Sequence, residues 1–240
     1  MNNQVPGTER TQKRLAVCLA LTAGYLDGYG LFIFGTYVSF MSGNTTMAGL
    51  KIGQASFMAA LSPAIAIVCF VAGSLAGNLI THFRLRHPHR LLFGIIAALL
   101  VTVMQLGTED AFKDLNIAGL SFGMGMVNPA LSKIGAENVS LTFMTGTLSR
   151  IGSHLALAVK RAPVPASEGP WDTHLHRARI ATQLWVSFVL GACMSGIVMA
   201  VANSLSVTSS FALLPCIAMM LVLAVTDALQ RTERSKACDA

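Results

Sequence analysis

Six apolar runs, each long enough to cross a lipid bilayer, constrain this chain more than any other feature of its sequence. They cover roughly residues 15–35, 61–83, 91–107, 115–133, 180–202 and 207–230. A transmembrane helix needs about 20 consecutive apolar residues. Charged residues make up only 12% of the chain, well below the share in soluble domains, and they concentrate between the runs. The sequence therefore predicts an all-α, polytopic membrane helix bundle.

Three short segments of the first half return in the same order in the second half. They are VSFMSGN at 38–44 with LTFMTGT at 141–147, GYLD at 24–27 with GMVN at 125–128, and FVAG at 70–73 with FVLG at 188–191. We therefore expect a single membrane domain over 15–230, made of repeat halves 15–106 and 115–230, between cytoplasmic tails 1–14 and 231–240. Repeated halves are common in transporters.

Two further stretches, residues 36–60 and 137–159, contain the repeated F-M-S/T-G signature and are rich in Ser, Thr and Gly. The 17 Lys and Arg residues bear on whether these stretches cross the membrane. If neither crosses and the N-terminus is cytoplasmic, all basic residues lie inside except Lys51 and Lys113. If both cross, giving eight spans, four of the inside residues move outside. The positive-inside rule favours about six spans, with both termini in the cytoplasm.

With three spans in each half, the two halves would be inverted relative to each other. The signature stretches would then be broken or re-entrant helices that enter from opposite sides and meet near the midplane. Irregular backbone at that depth is tolerated only where protein or a water-filled cavity surrounds it, and such meeting points form solute sites in transporters. The alternative is two ordinary spanning helices that use Ser, Thr and Gly for close packing.

Asp27 lies deep in the first apolar run. An acidic side chain at the centre of a transmembrane helix costs about 2.5–3.5 kcal/mol on insertion scales, so it should face the bundle interior. We interpret it as a proton or cation site, or as the partner of a cationic solute. The alternative is a carboxyl group that is hydrogen-bonded to Ser, Thr or Tyr and serves packing alone. Its repeat counterpart, Asn128, is polar but does not titrate.

The repeated signature supplies the other candidate solute-binding residues. In the first half they are Ser42, Gly43, Asn44, Thr45 and Thr46. In the second half they are Thr145, Gly146 and Thr147, together with Asn128 upstream. Hydroxyl and amide groups can ligate a solute, and the glycine allows a break or a close approach. The alternative is a Ser- or Thr-capped helix start whose N–H groups are satisfied locally.

Several functional classes find no support in the sequence. The five cysteines form no C-x-x-C pair, so we expect no metal site and no cofactor. Neither a P-loop nor a dinucleotide fingerprint is present, and no catalytic residue set stands out, so we expect no enzyme. The net charge of +6 comes from loops and tails, where membrane topology needs basic residues, and does not indicate a nucleic-acid partner.

Four segments carry a resemblance to a known family. They are GYLDG at 24–28, VSFMSGNTT at 38–46, GMG at 123–125 with Asn128, and TFMTGTL at 142–148. Through them the chain resembles the YoaK-like bacterial integral membrane proteins, a family of unknown function, over about residues 15–230. The resemblance implies an integral protein of the bacterial cytoplasmic (inner) membrane, and it implies no established substrate.

The repeat, the polar signatures and Asp27 together lead to a functional hypothesis. We expect a small-solute secondary transporter or channel, coupled to protons or cations through Asp27. A non-transporting assembly or regulatory subunit and a membrane-embedded enzyme are the alternatives. The expected partners are the lipid bilayer and a small solute whose identity the sequence does not reveal, and the sequence also allows a homo-oligomer.

Overall fold

The structure, a computed structural model, describes residues 6–83, 87–130, 133–134, 137–138, 144–164, 167, 169–205 and 208–238. The helices found there are α1 (Pro6–Phe34), α2 (Met41–Gly53), α3 (Phe57–His82), α4 (Pro88–Leu106), α5 (Lys113–Val127), α6 (Met144–Val159), α7 (His174–Ser204) and α8 (Leu214–Cys238). Short 3₁₀ turns cover Asp110–Phe112, Asn128–Ala130 and Ser209–Leu213. The strands β1 (Lys133–Ile134) and β2 (Glu137–Asn138) form a two-residue antiparallel ladder. The all-α prediction is confirmed.

Several helix ends follow from single residues. Pro88 is the first residue of α4, where its missing N–H costs nothing because that group has no partner within a helix. Gly107 follows the end of α4 with a φ of 77°, in the left-handed region that glycine enters most easily. At the start of α7, the side chain of Thr173 accepts a hydrogen bond of 3.1 Å from the backbone N–H of His176, which caps the helix.

Five of the six predicted spans coincide with helices that are long and apolar enough to cross a membrane. These five are Arg10–Phe34, Phe57–His82, Pro88–Leu106, His174–Ser204 and Ser209–Thr226. The predicted span 115–133 corresponds to α5, which has only 15 residues as an α-helix. It ends before Pro129, which lacks the N–H that a further α-helical turn would need. With the 3₁₀ turns that flank it, the helical segment is roughly 35 Å long.

Contacts between α3 and α5 place α5 at the depth of a spanning helix. Near the start of both helices, Ser62 Oγ donates a hydrogen bond of 2.7 Å to Asp114 Oδ1. Further along, Gly73 lies against Phe122, and then Gly77 against Met126. Residue numbers rise together along both helices, so α3 and α5 run parallel and side by side. Helix α5 therefore lies alongside α3, which is one of the five helices long and apolar enough to cross a membrane.

At two helix crossings the backbones are in direct contact, because a glycine lies where a side chain would otherwise separate them. Where α1 crosses α7, a Cβ on Gly24 would collide with the backbone oxygen of Phe188, and a Cβ on Gly191 with that of Leu21. Gly28 lies beside Ser195 further along, so α1 and α7 also run parallel. Only glycine allows backbones to approach this closely, as in packed membrane helices.

The crossing of α3 with α5 has the same construction. A Cβ on Gly125 would collide with the backbone oxygen of Phe70, and a Cβ on Gly73 with that of Phe122. These residues are the sequence matches of those at the α1–α7 crossing. Gly125 corresponds to Gly24, and the segment 70–73 corresponds to 188–191, with the two halves exchanged.

The remaining helices pack around these two crossings. Helix α2 packs on α3, α6 on α7, and α4 on both α5 and α8. Tyr25 and Tyr29 of α1 are fully buried in the core. Large apolar side chains such as Val68 and Val71 of α3 and Ile197 of α7 are exposed. An apolar exterior of this kind suits a surface that faces lipid rather than water.

Candidate functional site

The candidate site is built around the α1–α2 junction, residues 35–40. Helix α1 ends because Gly35 takes a φ of 68°, and the N–H of Thr36 donates back to the carbonyl of Gly30 over 3.4 Å. A left-handed glycine with such a backward bond reverses the chain at a helix end. The junction then runs back along α1, where a Cβ on Gly30 would press on Val38. Residues from the signature therefore lie beside the interior of α1.

Asp27 holds this junction with both carboxylate oxygens. Its Oδ1 accepts hydrogen bonds from the backbone N–H groups of Val38 (2.9 Å) and Ser39 (2.7 Å). Its Oδ2 accepts a hydrogen bond of 2.6 Å from Ser39 Oγ. The residue is only 4% exposed. These three donors, all neutral, offset part of the cost of burying a carboxylate.

Asn44 holds the same junction from α2. Its Nδ2 donates to the carbonyl of Tyr37 over 2.6 Å, and its Oδ1 accepts from the N–H of Tyr37 over 3.1 Å. The residue is fully buried. Asp27 and Asn44 thus bind consecutive residues of the junction from two different helices. A break in the helix at this point has its backbone groups satisfied by side chains, as a buried irregular segment requires.

The other candidate residues of the first signature have different surroundings. Ser42, Thr45 and Thr46 are exposed on α2. The hydroxyls of Thr45 and Thr46 donate to the carbonyls one turn earlier, over 2.8 and 3.0 Å. Gly43 lies against the rings of Phe40 and Tyr37, which leave no room for a Cβ. The signature therefore has one face that builds the junction and an opposite face that carries hydroxyls.

The candidate residues of the second half are placed on two elements. Asn128 begins the 3₁₀ turn after α5 and is half-buried. On α6, Thr147 is buried at the position that corresponds to Asn44, whereas Thr145 is exposed and Gly146 is half-buried. The segment 139–143, which would correspond to the junction of the first half, lies outside the described residues. We expected the two signatures to meet near the midplane. Within the described residues, however, the helices that contain them, α2 and α6, do not pack along each other.

Sequence reasoning missed Ser39, although it belongs to the quoted signature. Its hydroxyl and N–H both bind Asp27. A signal was present, because Ser39 is a hydroxyl residue between the apolar residues Val38 and Phe40, directly before the F-M-S-G block. Its spacing from Asp27 did not suggest contact, since the reversal at Gly35 was not predicted.

A second polar cluster at the start of α7 was also missed. Arg177 donates from Nε and Nη2 to the two carboxylate oxygens of Asp172, over 2.8 and 2.7 Å, and both residues are buried. Beside them, Nδ1 of His154 on α6 lies 3.1 Å from Nδ1 of His174. In the part of the chain that the structure describes, no three His, Cys, Asp or Glu side chains come together in a way that would hold a metal ion.

Comparison with known proteins identifies relatives over most of the chain. The UPF0700 transmembrane protein RA0705 of Rhizobium meliloti (strain 1021) is 30% identical over 224 residues, which cover 92% of this chain and 89% of that protein. The UPF0700 transmembrane protein YoaK of Bacillus subtilis (strain 168) is 27% identical over 140 residues, 55% of this chain and 62% of that protein. No solved structure matches the chain.

Both relatives are described as transmembrane proteins, in agreement with the apolar helices found here. Residues 15–226 match a family described as a protein of unknown function (DUF1275). This range includes Asp27, both signature helices and both glycine crossings. The resemblance that the motifs indicated is thereby confirmed, and the chain belongs to the DUF1275 family.

Proposed function

We propose that the protein is a small-solute secondary transporter or channel of the bacterial cytoplasmic membrane, and that the hydroxyl faces of α2 and α6 line the solute path. The pattern of exposure on α2 carries this proposal. Ser42, Thr45 and Thr46 are exposed while Asn44 is buried. A helix that faced only lipid would gain little from turning its hydroxyls outward, whereas hydroxyls in a path can bind a passing solute.

Helix α6 supports the same proposal, because it repeats the pattern. Thr145, Ser149 and Ser153 are exposed on α6, and Thr147 is buried in the position of Asn44. Glycines continue both faces, since Gly49 on α2 and Gly152 on α6 have open space where a Cβ would stand. The two faces would line a solute path from opposite sides of the membrane. Inverted repeats in transporters alternately open such a path to either side.

The arrangement of the spans supports two halves related by a pseudo-two-fold axis. Each glycine contact at the α1–α7 crossing has its counterpart at the α3–α5 crossing, with the halves exchanged. The parallel course of α1 and α7 requires an odd number of spans between them. If α3, α4 and α5 all cross the membrane, the number of spans between α1 and α7 stays odd only when α2 and α6 both cross or both do not. Helix α2, with 13 residues, is about 20 Å long and too short to cross alone.

This topology predicts which residues can be labelled from outside. In the six-span arrangement the α3–α4 connection lies in the cytoplasm and the α4–α5 connection outside. A cysteine replacing Glu109 should react in intact cells with a membrane-impermeant maleimide, and one replacing His89 only after permeabilisation, both in a variant without native cysteines. The reverse pattern would contradict the six-span arrangement with a cytoplasmic N-terminus.

Asp27 gives the proposed transport a route to proton coupling. As a carboxylate, it accepts three hydrogen bonds from the junction. A proton on Oδ2 would turn that oxygen from acceptor to donor and weaken the bonds from the two N–H groups, because a neutral carboxyl group is a poorer acceptor. The junction and the attached α2 would then be freer to move. We propose that protonation of Asp27 and movement of the α2 face are linked in this way.

Thiol accessibility tests whether the α2 face meets water. A variant whose only cysteine replaces Thr46 should react with a membrane-impermeant methanethiosulfonate at least about tenfold faster than a variant that keeps only native Cys193, which is exposed in the middle of α7. The reason is that the reactive thiolate forms in water and not in lipid. Equal, slow reaction of both thiols would show that the α2 face contacts lipid or protein and would rule out the solute path.

A non-transporting membrane subunit is the second candidate, and the packing around α1 favours it. Tyr25, Leu26 and Tyr29 are each only 1% exposed, and Tyr25 donates a hydrogen bond of 2.6 Å to the carbonyl of Ala212. A centre this closely packed needs no solute path. In that case both thiols would react slowly, and the hydroxyl face of α2 would be covered by a partner chain.

A further inference from the structure

A groove between α1 and α7 gathers three basic side chains at one end of the bundle. Arg10, Lys13 and Arg14 line one side of the groove, which has a volume of about 860 Å³. They come from successive turns of α1. Like charges on neighbouring turns repel one another, so this arrangement suits an anionic ligand.

The depth of the groove corresponds to the headgroup region of a bilayer. Arg14 directly precedes the apolar stretch 15–34 of α1, whose 20 residues span about 30 Å. On the opposite wall, the groove reaches α7 at Gln183, close to the last charged residue before the apolar part of that helix, Arg179. The three cations therefore lie where lipid phosphates lie.

The lining on the membrane side of the cations, which we call the floor of the groove, is mostly apolar. It comprises Val17 and Cys18 of α1 and Val186 of α7, with Ser187 beside them. A free inorganic anion would gain nothing from this floor. An acyl chain that continues from a phosphate would cover it and remove its apolar surface from contact with water and headgroups.

We propose that this groove is a binding site for an anionic phospholipid. The phosphate lies among the three basic side chains, and an acyl chain covers Val17 and Val186. Basic pockets between transmembrane helices bind anionic lipids in this manner. The site is separate from the α1–α2 junction and does not depend on the transport proposal.

Lipid titration of the delipidated full-length protein, followed by native mass spectrometry, tests the site. Palmitoyl-oleoyl phosphatidylglycerol should bind at least about tenfold more tightly than the phosphatidylcholine with the same chains. Replacing Arg10, Lys13 and Arg14 together by Gln should abolish this preference, because each basic residue near the membrane surface contributes several-fold to binding. The matched control replaces Lys160, Arg161 and Arg179 by Gln. It removes the same charge but should change binding far less, because none of these residues lines the groove. Equal losses in both triple variants would show unspecific attraction and overturn the proposal.

Two further measurements make the outcome specific to the lipid. Millimolar glycerol 3-phosphate should leave bound lipid in place, because it cannot cover the apolar floor; displacement would mean that the groove binds a soluble phosphate instead. If the triple variant does not fold, Arg14→Gln alone should weaken binding of phosphatidylglycerol several-fold, with a melting temperature near that of the wild type, and unchanged binding would refute the site.

Discussion

Gly191→Ala is expected to destabilise the protein by about 3 kcal/mol or more, a large fraction of the stability of a typical fold. A Cβ at this position would collide with the backbone of Leu21 and Tyr25 on α1. Backbone cannot swing aside as a flexible side chain can, so α1 and α7 would have to separate along their crossing. The loss is measured as the change in melting temperature of the detergent-purified protein. Size-exclusion chromatography of heated samples gives the fraction that remains folded at each temperature.

Gly196→Ala provides the control on the same helix. A Cβ at Gly196 meets only open space, and alanine favours a helix over glycine by about 1 kcal/mol. This variant should therefore be as stable as the wild type or slightly more stable. Gly73→Ala, at the corresponding place of the α3–α5 crossing, should match the loss of Gly191→Ala. A melting temperature for Gly191→Ala equal to that of Gly196→Ala would mean that the two helices do not approach as closely as described.

Asp27 variants are expected to separate structural from titrating roles. Asp27→Ala leaves the N–H groups of Val38 and Ser39 and the Ser39 hydroxyl without their acceptor. Since hydrogen bonds to a charged group are worth about 1.5–3 kcal/mol each, the variant should lose about 3 kcal/mol or more. Asp27→Asn keeps an oxygen for the two N–H groups and offers an amide N–H to Ser39 Oγ, so its stability should stay within about 1 kcal/mol of the wild type.

The Asn variant then tests proton coupling in a folded protein. The rate at which the cysteine that replaces Thr46 reacts depends on pH through its own thiolate, and the Cys193 variant measures that contribution. Because an amide does not titrate, Asp27→Asn should remove the pH dependence in excess of it if protonation of Asp27 moves α2. Ser39→Ala is the companion variant, since it removes one of the three bonds without touching the carboxyl group. Persistence of this excess pH dependence in Asp27→Asn would assign Asp27 to a purely structural role.

The spans and the helical class were predictable because they depend on local composition. An apolar run of about 20 residues has few structural options in a membrane, whatever its neighbours. The close helix crossings were also visible in part, since Gly24 and Gly191 belong to the repeated segments. Which helix each glycine would meet was not predictable, because the partner of Gly24 is Phe188, more than 160 residues away in the chain.

The construction of the candidate site was predictable only in its residue types. The sequence pointed to Asp27 and Asn44, but not to the junction that both of them bind. That junction depends on the reversal at Gly35, which is left-handed, whereas the nearby Gly30 and Gly43 are not. The orientation of Thr45 and Thr46 depends on which face of α2 packs on α3, and a short helix with polar residues on both faces gives no periodic signal for this.

The parallel pairing of α1 with α7 and of α3 with α5 has a consequence for how the chain is assembled in the cell. Helix α1 pairs with α7, and α3 pairs with α5. Both partners, α5 and α7, belong to the half that is synthesised second. When the first half is released from the ribosome, Gly24 and Gly73 lack the backbones that they contact in the full chain. The bond from Tyr25 to Ala212 can close only when nearly the whole chain has been made. We therefore expect the glycine crossings, and the protection that they give against proteolysis, to be completed only near the end of synthesis.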